Sequence, residues 1–338
     1  MTLAQAMLAV LWIGISAYVL FGGADFGGGV WDLLAGGTER GRPDRALVEH
    51  SIGPVWETNH VWLIFVLVVT WTGLPSVFAA IASTLYIPLT LVALGIIARG
   101  AAFAFRKAST EPWQQRLFGA TFAFSSLVTP FFLGTVAGAI ASGRVPPGVA
   151  EGDLLSSWLN PTSLVSGALA VGTAAYLAAV YLTRDAERGG DTELSERFRR
   201  RALAAGGTVG VLSAAGLAVL RADAAGLFDE LTSGRALPLL AVSIAAGLAS
   251  LALLWRRAYV AVRVTAALAV LGLLWGWALA QYPRLLPGVE LDDAAATRSV
   301  LAASLGSLAA GALLLLPSLW WLYTTFQREH VPPRDSEK

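Results

Sequence analysis

Residues 61–98 read VWLIFVLVVTWTGLPSVFAAIASTLYIPLTLVALGIIA, 38 positions without an Asp, Glu, Lys or Arg. About 20 apolar residues cross the hydrocarbon core of a bilayer as an α-helix, so this stretch is long enough for two crossings. Thr72-Gly73-Leu74-Pro75 supplies the turn between them, because Gly and Pro punctuate helices. Seven more charge-free windows lie at 3–24, 117–143, 154–183, 202–220, 236–255, 264–283 and 299–327, each with room for one helix. The pattern predicts nine transmembrane helices. Helices are expected rather than a barrel, because in lipid each segment must satisfy its own backbone N–H and C=O groups. The alternation of a membrane strand, over about ten residues, is absent.

Composition points the same way. The 338 residues are 56% hydrophobic and 14% charged, with a mean hydropathy of +0.63, whereas soluble domains carry roughly 25% charged residues. That excludes a soluble cytoplasmic enzyme. With 24 Lys and Arg against 23 Asp and Glu, no basic surplus exists for binding nucleic acid. Cysteine is absent, which excludes disulfides, thiolate metal sites, iron–sulfur ligands and CxxC redox pairs. Met1-Thr2-Leu3-Ala4-Gln5 has no basic n-region and the apolar run after it exceeds a signal-peptide core, so a retained first helix is expected.

With the amino terminus outside, 19 of the 24 basic residues fall on the cytoplasmic side, leaving Arg144, Arg221, Arg235, Arg284 and Arg298 outside. The positive-inside rule then places the carboxyl terminus in the cytoplasm. The expected fold is an all-α polytopic membrane protein: two four-helix bundles plus one helix. The first bundle takes residues 1–143, the second 154–283 and the ninth helix 298–327, followed by a cytoplasmic tail at 328–338. The Arg- and Glu-rich segment 184–201 is the longest cytoplasmic loop on this plan. Trp31, Trp113, Trp158, Trp255, Trp320 and Trp321 fall near span ends, as an aromatic belt would.

Two polar clusters interrupt the apolar pattern. Gly22-Gly23-Ala24-Asp25-Phe26-Gly27-Gly28-Gly29 ends the first window and sets Asp25 at the cytoplasmic edge of its span. Gly53-Pro54-Val55-Trp56-Glu57-Thr58-Asn59-His60-Val61-Trp62 opens the second, with Pro54 suited to a first helical turn. Glu57 and His60 are then i, i+3 on one face, and Trp56 and His60 are i, i+4. An ionisable group inside a span is a functional hypothesis by default. Asp25, Glu57 and His60 are therefore candidates for a proton relay, with Glu57 desolvated and His60 titrating near neutrality. Trp56 and Asn59 support them, and Arg99, at the end of the third helix, is the countercharge for either acid.

Haem binding within the bundle needs axial His or Met. The chain has only His50, His60, His330, Met1 and Met7, and His50 and His60 are about 15 Å apart if helical. The expectation is a chain that binds no cofactor and no metal by itself. Metalloprotease, P-loop and dinucleotide-binding motifs are absent.

The two clusters closely resemble subunit II of the cytochrome bd-type quinol oxidases. Gly23-Ala24-Asp25-Phe26-Gly27-Gly28-Gly29 and Pro54-Val55-Trp56-Glu57-Thr58-Asn59-His60-Val61-Trp62-Leu63 carry the resemblance, with Ala98-Arg99-Gly100, Phe103 and Arg106. It implies a haem-free partner of a haem-bearing subunit I that carries haems b and d, or b-type haems only. It implies a complex in the bacterial inner membrane that oxidises quinol, reduces dioxygen to water with cytoplasmic protons, and generates a proton-motive force without pumping. The acids at Asp25 and Glu57 would belong to the proton path. Some members have aspartate where this chain has Glu57, and some hold a structural quinone in this subunit. A small single-helix accessory subunit is a further partner to look for. The alternative reading is a secondary transporter with Glu57 and Arg99 at a substrate site on the cytoplasmic face. Transporters usually place such groups near the midplane in both halves of a repeat, and here they occupy one face of the first half.

Overall fold

A computed structural model describes residues 1–37, 39–52 and 56–328. The first span is a continuous helical rod from Leu3 to Leu33. It consists of α1 (Leu3–Ala17), a π-helical turn (Tyr18–Gly22) and α2 (Gly23–Leu33). Thr2 and Gln5 close its start as a reciprocal capping box. A short helix, α3 (Arg42–Ile52), follows, then α4 (Trp56–Gly73), α5 (Pro75–Thr84), α6 (Tyr86–Ala108) and α7 (Pro112–Ala141). The second half holds α8 (Pro161–Arg188), α9 (Thr192–Asp223), α10 (Ala225–Thr232), α11 (Leu237–Trp255) and α12 (Tyr259–Gln281). A two-stranded antiparallel ribbon, β1 (Arg284–Leu286) and β2 (Val289–Glu290), leads through α13 (Leu291–Ala294) to α14 (Arg298–Arg328). Among the described residues, eight helices are long and apolar enough to cross a membrane, or nine if the bent pair α4–α5 counts as one span.

Several boundaries differ from the sequence expectation, each for a physical reason. Leu74 is non-helical ahead of Pro75, and α5 leaves α4 at 119°. Proline disfavours helical backbone in the residue before it. With 10 residues, α5 is only about 15 Å long, so the third span begins at Tyr86 instead. The 184–201 segment is no loop: α8 and α9 run on through it and only Gly189, Gly190 and Asp191 join them, with the Asp191 side chain accepting from the Leu194 N–H as N-cap. The ribbon qualifies the all-α expectation. The Pro54 helix start and the tail after Arg328 lie outside the described residues.

Helix α8 is the axis of the packing. Helices α2, α7 and α9 lie along it, and α12 and α3 also touch it. Elsewhere α6 packs on α7, α11 on α12, α1 on α4, and α14 on both α1 and α4. The approach of α2 to α8 depends on a missing side chain. A Cβ on Gly27 would stand 1.9 Å from the Ala174 carbonyl oxygen, so any other residue would push the helices apart. The glycine run that reads as a helix end is thus the contact face of a continuing helix. Trp31 leaves the aromatic belt for the same interior: it is buried, and its indole N–H donates to the Ala175 carbonyl at 2.8 Å. Trp158 is buried as well, edge-on to Phe132, whereas Trp113, Trp255, Trp320 and Trp321 are exposed.

Candidate functional site

Asp25 lies eight residues before the end of the first span. It is 2% exposed, and Arg99 of α6 is 1% exposed. The two form a bidentate ion pair: Nη2 donates to Oδ1 at 2.8 Å and Nη1 to Oδ2 at 3.1 Å. Nη2 also donates to the Asp25 backbone carbonyl at 3.2 Å, and Nε donates to Ser126 Oγ of α7 at 2.9 Å. Four of the guanidinium's five N–H donors are therefore engaged. Phe26 and Phe122 hold its two sides, with Cζ 5.0 and 4.6 Å from their ring centroids. Three helices thus converge on one charge pair in an otherwise apolar interior. Gly29 makes room for it, since a Cβ there would sit 2.1 Å from Ser126 Oγ.

Phe26 also carries the pair toward His60. Its ring meets the imidazole edge-on at 5.8 Å between centroids and meets Tyr18 at 6.5 Å, and Tyr18 lies 6.4 Å from His60. The Tyr18 hydroxyl is buried without a hydrogen-bond partner among the described residues, and so is Oδ1 of Asn59. Such groups are uncommon and call for water or a further chain. The second cluster splits across its helix: Asn59 is 3% exposed, while Glu57 faces outward. Glu57 makes no hydrogen bond or ion pair among the described residues, and the carboxylate that Arg99 pairs with is that of Asp25. Glu57 is exposed on the surface of this chain taken by itself. The side chain of Trp56 lies outside the described residues.

A second tier was missed in the sequence. Asp32, two turns beyond Asp25, accepts from Arg106 of α6 at 2.8 Å and pairs with Arg45 of α3 at 3.0 Å. Asp25–Arg99 and Asp32–Arg106 both join residues 74 apart, so α2 and α6 run in the same direction with two matched rungs. The signal was there to find: an acid repeated after seven residues and an arginine repeated after seven mark one face of each helix. Asp44 of α3, 1% exposed, bridges Arg197 and Arg201 of α9 at 2.7 and 2.6 Å. Arg201 in turn lies over Trp31 and Phe198. At the second rung, Asp32, Arg45, Glu49, Arg106 and Phe122 line a cavity of about 10 Å³, roughly the space of one water molecule.

Tyr18 and Phe26 crowd the His60 ring, and the Met7 side chain is tucked against Gly73 at the other end of the first span. Among the described residues, no group of three or more His, Asp or Glu side chains is placed to hold a metal ion.

The sequence model of the family described as cytochrome bd terminal oxidase subunit II matches residues 3–326. A cytochrome bd ubiquinol oxidase subunit 2 of Bacillus subtilis is 34% identical over 131 residues, covering 38% of this chain and 37% of that protein. A cytochrome bd-I ubiquinol oxidase subunit 2 of Escherichia coli is 29% identical over 183 residues, covering 52% and 46%. The aligned stretches thus span less than half the length of these relatives. In fold, the chain is similar to one in the structure of the bd oxidase from Geobacillus thermodenitrificans, with a TM-score of 0.74, 23% identity, and 96% and 99% of the two chains covered. With the family match running nearly end to end, the chain belongs to the cytochrome bd terminal oxidase subunit II family.

Proposed function

We propose that this chain is the haem-free subunit II of a bacterial inner-membrane terminal oxidase that oxidises quinol and reduces dioxygen to water. Its partner is a subunit I that carries the haems, and it contributes to assembly and to proton delivery from the cytoplasm. The arrangement we favour has nine spans, two four-helix bundles (1–143 and 154–283) and a ninth helix (298–327), with the amino terminus outside and the carboxyl terminus inside. Within the halves α6 packs on α7 and α11 on α12, and the halves are joined by α2 and α7 packing along α8.

The observation that carries the proton role is the buried Asp25–Arg99 pair with a second acid rung at Asp32 and a water-sized cavity beside it. An ionised pair inside a span costs several kcal/mol per ion to desolvate, and simple helix packing would not need it. Protons would enter at the Asp32, Arg45, Arg106 and Glu49 tier and reach Asp25. They would leave this chain by way of Tyr18, His60 and Asn59, whose buried polar atoms suit a water chain. Glu57, exposed at the start of α4, would meet subunit I on this reading.

The test is to purify the complex through a tag on this chain and record its visible spectrum and quinol-driven oxygen consumption. A colourless chain alone, and a haem-containing, oxygen-consuming complex with its partner, is the expected result. A haem-free preparation in both states would refute the oxidase reading.

A further inference from the structure

A groove of about 500 Å³ opens between the first span, α8 and α12. Its apolar wall is built by Leu20 and Phe21, in the π-helical turn of the first span, and by Val264 and Leu268 of α12. Phe21, Val264 and Leu268 are 42%, 59% and 45% exposed, so the wall faces outward. Arg184 and Arg188, in the last two turns of α8, and Arg263, in the second turn of α12, ring its end. Arg184 is paired with Glu187. Arg263 is held over the Tyr181 ring, its Cζ 5.2 Å from the centroid. Arg188 is exposed. Among the described residues, neither Arg188 nor Arg263 is ion-paired with a carboxylate.

We propose that this groove binds an anionic phospholipid, with the phosphate taken by Arg188 and Arg263 and an acyl chain laid along Leu20, Phe21, Val264 and Leu268. Guanidinium groups pair with phosphate through two parallel hydrogen bonds, and basic pockets between membrane helices suit such headgroups. Two features separate the site from scattered interfacial arginines, which simply reach for water. The arginines come from two helices and share one concavity, and that concavity continues into an outward apolar wall. The ligand must therefore be anionic at one end and a hydrocarbon at the other. The inference requires only that these arginines lie at a membrane face, and it stands apart from the proton route.

The test uses the intact complex in detergent, exchanged against phosphatidylglycerol or phosphatidylcholine, with bound lipid read by native mass spectrometry. Wild type retains phosphatidylglycerol in preference to phosphatidylcholine, and excess inorganic phosphate does not displace it. Each arginine near a membrane surface contributes about fivefold in affinity for an anionic lipid. Arg188→Gln with Arg263→Gln is accordingly expected to cut phosphatidylglycerol retention about twenty-fivefold at unchanged haem content. Val264→Trp, which fills the groove and keeps every charge, lowers retention as well and carries the test if the arginine variant fails to assemble. Equal retention of the two lipids, displacement by inorganic phosphate, or full retention in Val264→Trp would overturn the proposal.

Discussion

Asp25 and Glu57 are both acids in short polar clusters beside tryptophan or glycine, yet the fold treats them in opposite ways. Asp25 is enclosed by three helices with both carboxylate oxygens on one guanidinium, whereas Glu57 stands on the surface with no partner among the described residues. A buried ion pair is a local commitment: removing one member strands the other charge. A surface acid commits nothing in this chain and is free to serve a neighbour. Sequence proximity to a glycine run or a tryptophan did not distinguish the two. What did was the ion pair: among the described residues Arg99 pairs with the carboxylate of Asp25 and with no other.

The comparison can be broken most directly at the buried end. Asp25→Asn leaves Arg99 uncompensated and should cost about 3–5 kcal/mol, read as a large loss of assembled complex on thermal challenge. Recovery equal to wild type would show that the pair is not structural. Gly29→Ala pushes a Cβ into Ser126 Oγ and should cost about 1–3 kcal/mol through overpacking, with Ser126→Gly recovering part of the loss. Additive losses in that double variant would place the strain elsewhere. Asp32→Asn removes a carboxylate from two guanidinium groups that are only about a quarter exposed, and about 1–2 kcal/mol is expected. Glu57→Gln should change stability by less than about 0.5 kcal/mol. It should nonetheless slow oxygen consumption several-fold at equal haem content, and unchanged turnover would remove Glu57 from the proton route.

Much of the fold was legible because lipid imposes a simple rule on charge. The charge-free windows locate each of the long apolar helices, but they end at the first charged residue, and several helices, α8 and α9 among them, run past that point. The third span continues through Arg99 and Arg106 and the first through Asp25 and Asp32, because these charges cancel one another inside the bundle. The glycines at 27–29 read as a terminus because glycine is a poor helix former in water. In this interior they are a contact face, a fact that depends on α8 and cannot be seen in the first hundred residues alone. The turn at Leu74-Pro75 was visible, but the second break at Leu85 is marked only by Pro88 in the first turn of α6, inside a run that otherwise reads as one continuous helix. Asp25 and Arg99 stand out by their rarity, and the structure pairs them. Asp32 was overlooked because a second acid near a span end looks like ordinary interface, and only its seven-residue offset matches Arg106.

The most direct measurement is oxygen consumption per haem in Asp25→Asn, Arg99→Gln and the double variant Asp25→Asn/Arg99→Gln. The double variant removes both charges together, so the desolvation problem disappears and the complex should assemble with normal haem content. If Asp25 handles protons, its turnover stays at least about tenfold below wild type, in keeping with the loss of a positioned acid–base group. Turnover restored to wild type in the neutral pair would make Asp25–Arg99 a strut and contradict the proton route.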